Sequence, residues 1–223
     1  MEERPVLTVE IWSDVVCPWC YLGKRRWDRA LQGLTGPPGA VRTAWRAFEL
    51  RTDQPRTQGE LLSDLMRRNY RMNSDQIEEA FGLLRRLGAE EGIELRPEGI
   101  RPVNSFDAHR LLRLAADHDL QDDLLDRVFR AYHTGLLNIA DHDVLRRLAA
   151  ESGLPDAETD TLLGSDRYAA EVRADEARAA AIGVTSVPSF VIDGRQVVHG
   201  AVEAEQLLAM AEGIVGPAEA GRA

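Results

Sequence analysis

Ile11-Trp12-Ser13-Asp14-Val15-Val16-Cys17-Pro18-Trp19-Cys20 holds the only two cysteines of the chain, three residues apart, where a strand hands over to a helix. Ahead of the cysteines, Val6 to Trp12 alternates as a half-buried strand does. Behind them, Cys20, Gly23, Trp27, Leu31 and Leu34 recur at helical spacing and form one apolar stripe. Pro18 suits a first helical turn, because the donor it lacks is one the helix does not use. Cysteines three apart on a helix share a face, so their alpha carbons meet the separation a disulfide spans.

The two sulfurs are not equivalent. Cys17 falls at the helix start, where free backbone N–H groups and the positive end of the dipole favour an anion, whereas Cys20 is one turn deeper and faces the core. A thiol at a helix start is drawn towards the thiolate, the form that attacks. Cys17 is therefore expected to form a mixed disulfide and Cys20 to resolve it. One alternative is half of a zinc site, which needs two further ligands. There is no third cysteine, and His109, His118, His133, His142 and His199 stand singly, far along the chain. The other alternative is a pair of buried inert thiols, against which the strand-to-helix setting argues.

A chain of 223 residues has room for one elaborated domain or two small ones. Its 44% apolar and 29% charged content is that of a soluble globular protein. The net charge is -10, and Lys24 is the only lysine. That balance argues against general binding of nucleic acid or anionic membranes. Met1 to Pro5 lacks the pattern of a secretory signal, and no run approaches a membrane span. The expected location is the cytoplasm, where the pair rests as a dithiol and acts catalytically.

Along the chain, Gly33 to Gly39 ends the first helix, and Val41 to Leu50 reads as a second strand. From Thr57 to Asp166 the period is helical. Asn73 caps one helix with Gln76 reaching back, and Gly135 and Gly153 stop two others. A helix over Asp166 to Ile182 ends at Gly183. Two antiparallel strands turning at Asp193-Gly194 follow, and a last helix runs from Glu203 to Glu212. Neither end has enough strands for a sheet by itself. Residues 1–56 and 180–215 are expected to build one α/β domain, with residues 57–179 inserted as a helical domain and 216–223 a frayed tail.

Three stretches together resemble the DsbA-like branch of the thioredoxin superfamily, within it the FrnE-like group related to 2-hydroxychromene-2-carboxylate isomerases. They are Ser13 to Gly23, Asn104 to Arg110, and Gly183-Val184-Thr185-Ser186-Val187-Pro188-Ser189-Phe190-Val191-Ile192. The resemblance implies a thioredoxin fold with a large all-helical insertion. It further implies that Pro188 is a cis-proline facing the cysteines and that the Val187 backbone pairs with an extended substrate strand. Sequence alone says only that a proline opens a strand, where it is tolerated. Isomerase and kappa-class glutathione transferase relatives carry serine where Cys17 stands, but here both cysteines are present. DsbA has a histidine between its cysteines where this chain has Trp19. An uncharged indole does not assist a thiolate as an imidazolium does, so a site less oxidising than DsbA's is expected.

The first functional reading is a thiol-disulfide oxidoreductase with Cys17 attacking, Cys20 resolving and Pro188 shaping the groove. Pro18, Trp19 and Val187 would contact the substrate, and the resemblance adds Asn104 and His109 as cleft residues; His109 reads equally as an ordinary helix-face histidine. Asp14 reads as a helix-start carboxylate first and a proton relay for Cys20 second. Glu49 reads as an exposed strand terminus rather than a buried acid, and His118, His133 and His142 as solvated. No metal and no tightly bound cofactor are expected; glutathione or another low-molecular-weight thiol is the candidate co-substrate. The partner is a disulfide- or thiol-bearing protein or small molecule, and the chain is a monomer or homodimer. The second reading is a thiol-dependent isomerase or transferase acting on an aromatic or polyketide-like substrate. A holdase with vestigial cysteines is the third.

Overall fold

In the computed structural model, residues 7–34 and 40–215 are described, and the first strand, β1, is Leu7–Ser13. Val6, the glycine and proline turn over 35–39 and the tail from Gly216 lie outside the described residues. Alternation along β1 sorts its side chains between two layers. Leu7, Val9 and Ile11 enter the main core, while Trp12 joins Ala179, Val184 and Val191 in a second cluster.

Helix α1 (Pro18–Gly33) crosses over to β2 (Val41–Ala47), which runs parallel to β1 with Leu7 beside Val41 and Ser13 beside Ala47. A helical block follows: α2 (Leu62–Tyr70), α3 (Ser74–Glu90), a 3-10 turn (Pro97–Gly99), α4 (Phe106–Asp117), α5 (Gln121–His133), α6 (His142–Glu151), α7 (Asp156–Leu163) and α8 (Ala169–Ala181). The chain then returns with β3 (Ser189–Ile192), β4 (Gln196–His199) and α9 (Ala204–Val215). The strand order is β2-β1-β3-β4, with β3 antiparallel to both neighbours. Ile11 thus lies beside Phe190, and both ends of the chain complete one sheet around the helical block, as expected. The hairpin turn has Asp193 at φ 51° and Gly194 at φ 66°, the double left-handed turn that matches strand twist. Asn73 and Gln76 form the expected reciprocal cap of α3.

Helices α1 and α9 pack together, and α9 also meets β1. Helix α8 covers the Trp12 side, where the indole Nε1 donates to the Asp175 carbonyl at 3.0 Å and the Arg178 guanidinium lies 5.3 Å from the ring centroid. Arg178 also grips Glu10, which takes a second ion pair from Arg46 at 2.6 Å. Burial pushes the Glu10 carboxyl up, but the Arg178 and Arg46 hydrogen bonds outweigh it and hold the group below its ordinary range.

At the outer edge of β2, Gln121 occupies the place of a neighbouring strand. Its Oε1 accepts the Trp45 N–H at 3.3 Å, and its Nε2 donates to the Trp45 carbonyl at 3.1 Å.

Three boundaries differ from the sequence reading, one of them the end of α9, at Val215 rather than Glu212. Strand β2 ends at Ala47 rather than Leu50, because the Glu49 and Leu50 N–H groups are taken by the Glu176 and Asp14 carboxylates, at 3.2 and 2.7 Å. Helix α8 starts at Ala169 rather than Asp166, because Tyr168 is left-handed at φ 63°. Arg110 fixes that break by donating to the carbonyls of Leu162, Ser165 and Arg167. Beside it, buried Asp107 accepts from Arg110 and from His142 at 2.8 Å each and from Arg56 at 2.5 Å. His142 is therefore half-buried and paired, not simply solvated. Among the described residues no helix is long and apolar enough to cross a membrane.

Candidate functional site

The loop between β1 and α1 is a tight turn in which the Cys17 N–H donates to the Asp14 carbonyl at 3.0 Å. Cys17 is the N-cap of α1, extended at φ -90°, and Pro18 is the first helical residue. The free N–H groups and positive end of a 16-residue helix therefore lie next to Cys17. Both cysteines are free thiols, Cys17 5% and Cys20 0% exposed. Burial, first, and the neighbouring Cys17 sulfur push the Cys20 thiol well above its ordinary range. One sulfur thus lies at the helix start and the other is held protonated one turn beneath it.

The Cys17 sulfur lies 3.9 Å from the Val187 carbonyl, and the Val187-Pro188 bond that follows is cis. Strand β3 brings this segment in, since its first residue, Ser189, pairs with Trp12. Gly23 lets α1 approach: a Cβ there would sit 2.9 Å from Pro188 Cγ and 3.3 Å from Pro188 Cβ. Gly23→Ala should improve helix propensity by about 1 kcal/mol yet displace the proline from the sulfurs. The expected result is a folded protein of unchanged helicity whose exchange rate falls roughly tenfold, read by circular dichroism and a disulfide-reduction assay on one sample.

Around the opening, Trp19 is 39% exposed, and Pro18 and Val187 are half-buried, which leaves an apolar rim. The remaining site residues lie behind it. Asp14, fully buried, accepts from the Leu50 N–H at 2.7 Å and the Val16 N–H at 3.3 Å, so its carboxylate ties the loop to the end of β2. His109, expected at the cleft, is buried with its Nε2 3.4 Å from Asp14 Oδ1. It faces the site from within the core. Asn104 is half-buried; its Nδ2 donates to Glu49 at 3.1 Å and its Oδ1 accepts the Phe106 N–H at 3.0 Å. It joins the segment after β2 to the start of α4.

Two residues depart from their sequence readings. Glu49 is not an exposed terminus: its carboxylate is buried and paired with Arg173 at 2.5 Å. Burial pushes its carboxyl up in spite of that arginine. His133 is not solvated either. It is buried, stacked on Tyr21 and edge-on to Tyr132 at 4.9 Å between centroids, with Nε2 3.1 Å from the carbonyl of Val15 in the cysteine loop. Burial lowers its pKa to about 4, so near neutrality it is a neutral ring whose N–H donates to that carbonyl. The signal was its position four residues after Phe129, on the buried stripe of α5. Among the described residues no three His, Cys, Asp or Glu side chains come together to hold a metal ion.

Comparison with known proteins bears on this arrangement. The structure of a probable DsbA oxidoreductase from Streptomyces coelicolor is 35% identical in sequence, with a TM-score of 0.87 over 97% of this chain and 94% of that one. Two more distant structures share the fold. The cytosolic disulfide reductase DsbM from Pseudomonas aeruginosa, solved with GSH, is 20% identical, with a TM-score of 0.58 over 93% of this chain and 95% of that one. A 2-hydroxychromene-2-carboxylate isomerase is 14% identical, with a TM-score of 0.62 over 93% and 94% of the two chains. The model of the DSBA-like thioredoxin domain matches residues 8–210, and the chain belongs to that family.

Proposed function

We propose that this protein is a thiol-disulfide oxidoreductase that works through the Cys17-Pro18-Trp19-Cys20 dithiol. The observation that carries the reading is the unequal pair: Cys17 caps α1 at the edge of solvent beside Val187 and Pro188, and Cys20 is sealed one turn below it. In the reducing direction the Cys17 thiolate attacks a disulfide R–S–S–R′, forming Cys17–S–S–R and releasing R′S⁻. Cys20 then attacks the Cys17 sulfur, its thiol proton leaves, and RS⁻ departs. The dithiol has lost two electrons and the substrate has gained them. Because the sulfurs carry both electrons, the reaction calls for no tightly bound cofactor.

Glutathione or another low-molecular-weight thiol is the proposed co-substrate that resets the pair, a choice that the fold shared with DsbM supports. The disulfide-bearing partner is a protein or small molecule, gripped by Val187, Pro188 and the exposed indole of Trp19, and the setting is the cytoplasm. With Trp19 between the sulfurs, the pair is a weaker oxidant than DsbA. A second reading, a thiol-dependent isomerase or transferase on an aromatic or polyketide-like substrate, draws on the fold shared with 2-hydroxychromene-2-carboxylate isomerase.

Equilibration of the protein in buffers of graded glutathione ratio, with mass measurement after alkylation, tests the first reading. The expected result is one cooperative transition between dithiol and intramolecular disulfide at a potential more reducing than DsbA's. A pair that never closes a disulfide across the series overturns it.

A further inference from the structure

Resolution by Cys20 requires a thiol with no solvent contact to lose its proton. Two groups on the loop side of the sulfur, the Asp14 N–H and the Ser13 hydroxyl, favour its thiolate. Ser13 is only 3% exposed, and apart from the neighbouring Cys20 sulfur its Oγ has no hydrogen-bond partner. A buried hydroxyl without a partner carries a cost of about 1–3 kcal/mol, and such groups call for an explanation.

The surroundings supply one. Ser13 lines a small cavity of about 10 Å³ between β1, β2 and α4, with His109 and Arg113 on its far wall. That is close to the least room that admits one water. Arg113 Nε, on the same wall, is also buried and unpaired. Two unpaired polar atoms around a space of this size give a water the partners it needs. On the other side of His109, Asp14 lies 3.4 Å from Nε2.

We propose that Ser13, one water in this cavity and His109 form the path by which the Cys20 proton leaves, with Asp14 positioning the imidazole. The path rests on the exchange reading above and names groups for its second step. The Cys20 thiol passes its proton to Ser13 Oγ while the hydroxyl passes its own to the water, and the water delivers one to the His109 nitrogen not turned towards Asp14. The electron pair left on the Cys20 sulfur forms the bond to Cys17, and the Cys17–S–S–R bond breaks towards RS⁻, which takes a proton from solvent. The reverse flow returns the proton when a disulfide is delivered. Other charged or titratable groups facing this region are Arg46, Glu49, Arg113, Tyr132 and His133. His133 is neutral near pH 7, since its pKa is about 4, and Tyr132 is pushed up by burial, so neither accepts the proton there.

Stopped-flow reaction of the full chain with a chromogenic aryl disulfide separates the two steps. The first aryl thiolate reports attack by Cys17 and the second reports resolution by Cys20. Ser13→Ala and His109→Gln are each expected to slow the second release at neutral pH by roughly 10²-fold while leaving the first within about twofold. The deficit should close as pH rises and hydroxide takes the proton directly. Thermal midpoints within a few degrees of wild type in both variants, together with an intact first release, guard the result against misfolding. An unchanged second release in Ser13→Ala, or equal slowing of both releases, overturns the path. Absence of any release from the wild-type protein overturns the exchange reading itself.

Discussion

Cys17→Ser is expected to bring the reduction of insulin by a dithiol down to the rate of the dithiol alone, whereas Cys20→Ser should halt the reaction halfway, as a covalent adduct. A serine at the N-cap of α1 still suits the helix, so the fold is retained and the loss is chemical. In Cys20→Ser the attacking sulfur is intact, but nothing lies beneath it to displace the substrate. The mixed disulfide should accumulate to nearly one equivalent and be visible by mass under non-reducing conditions. Turnover that survives Cys20→Ser would instead favour the isomerase or transferase reading, in which resolution has no part. Client binding that survives loss of both cysteines, with no exchange in the wild type, would point to a holdase.

The second large effect concerns acid. His133 titrates near pH 6.5 in the unfolded chain and at about 4 in the folded one, so between these values the unfolded state holds one more proton. Stability from this group is complete above about pH 6.5 and declines as pH falls towards 4, by roughly 3 kcal/mol in all. Urea unfolding at stepped pH should show that slope, and His133→Gln should remove about one proton from it while lowering stability at pH 7 through lost packing on Tyr21 and Phe129. A slope identical in wild type and variant would show that another group causes the acid loss. The N–H that holds the Val15 carbonyl is kept on protonation and that hydrogen bond favours the charged ring, so the acid loss comes from burying the charge and not from release of the cysteine loop.

The parts of this architecture legible in the sequence are those set locally. The alternation of Leu7 to Ser13, the stripe from Cys20 to Trp27, the Asn73 cap and the Asp193-Gly194 turn each follow from the period or φ preference of adjacent residues. The meeting of Pro188 with the cysteines is a long-range fact; family resemblance implied it, and no spacing did. Polar burial was the least legible. Glu49 reads as a strand end until Arg173, on a helix far along the chain, closes over it, and while the stripe through Phe129 places His133 on the buried face of α5, nothing local shows that this face meets the cysteine loop. Family resemblance implied His109 as a cleft residue, but only packing decides that it faces inward, to Asp14 and a water-sized space, instead of outward to the substrate.

The side chain of Gln121, with both of its polar atoms committed to Trp45, has a consequence for solubility. An uncapped border strand is a template on which extended polypeptide from another molecule adds by backbone pairing, the first step towards aggregates. Here the amide group fills one such docking position in the middle of the border, and Asp175 takes the next free N–H, that of Ala47. With both positions filled, that border offers another molecule little free backbone on which to add a strand.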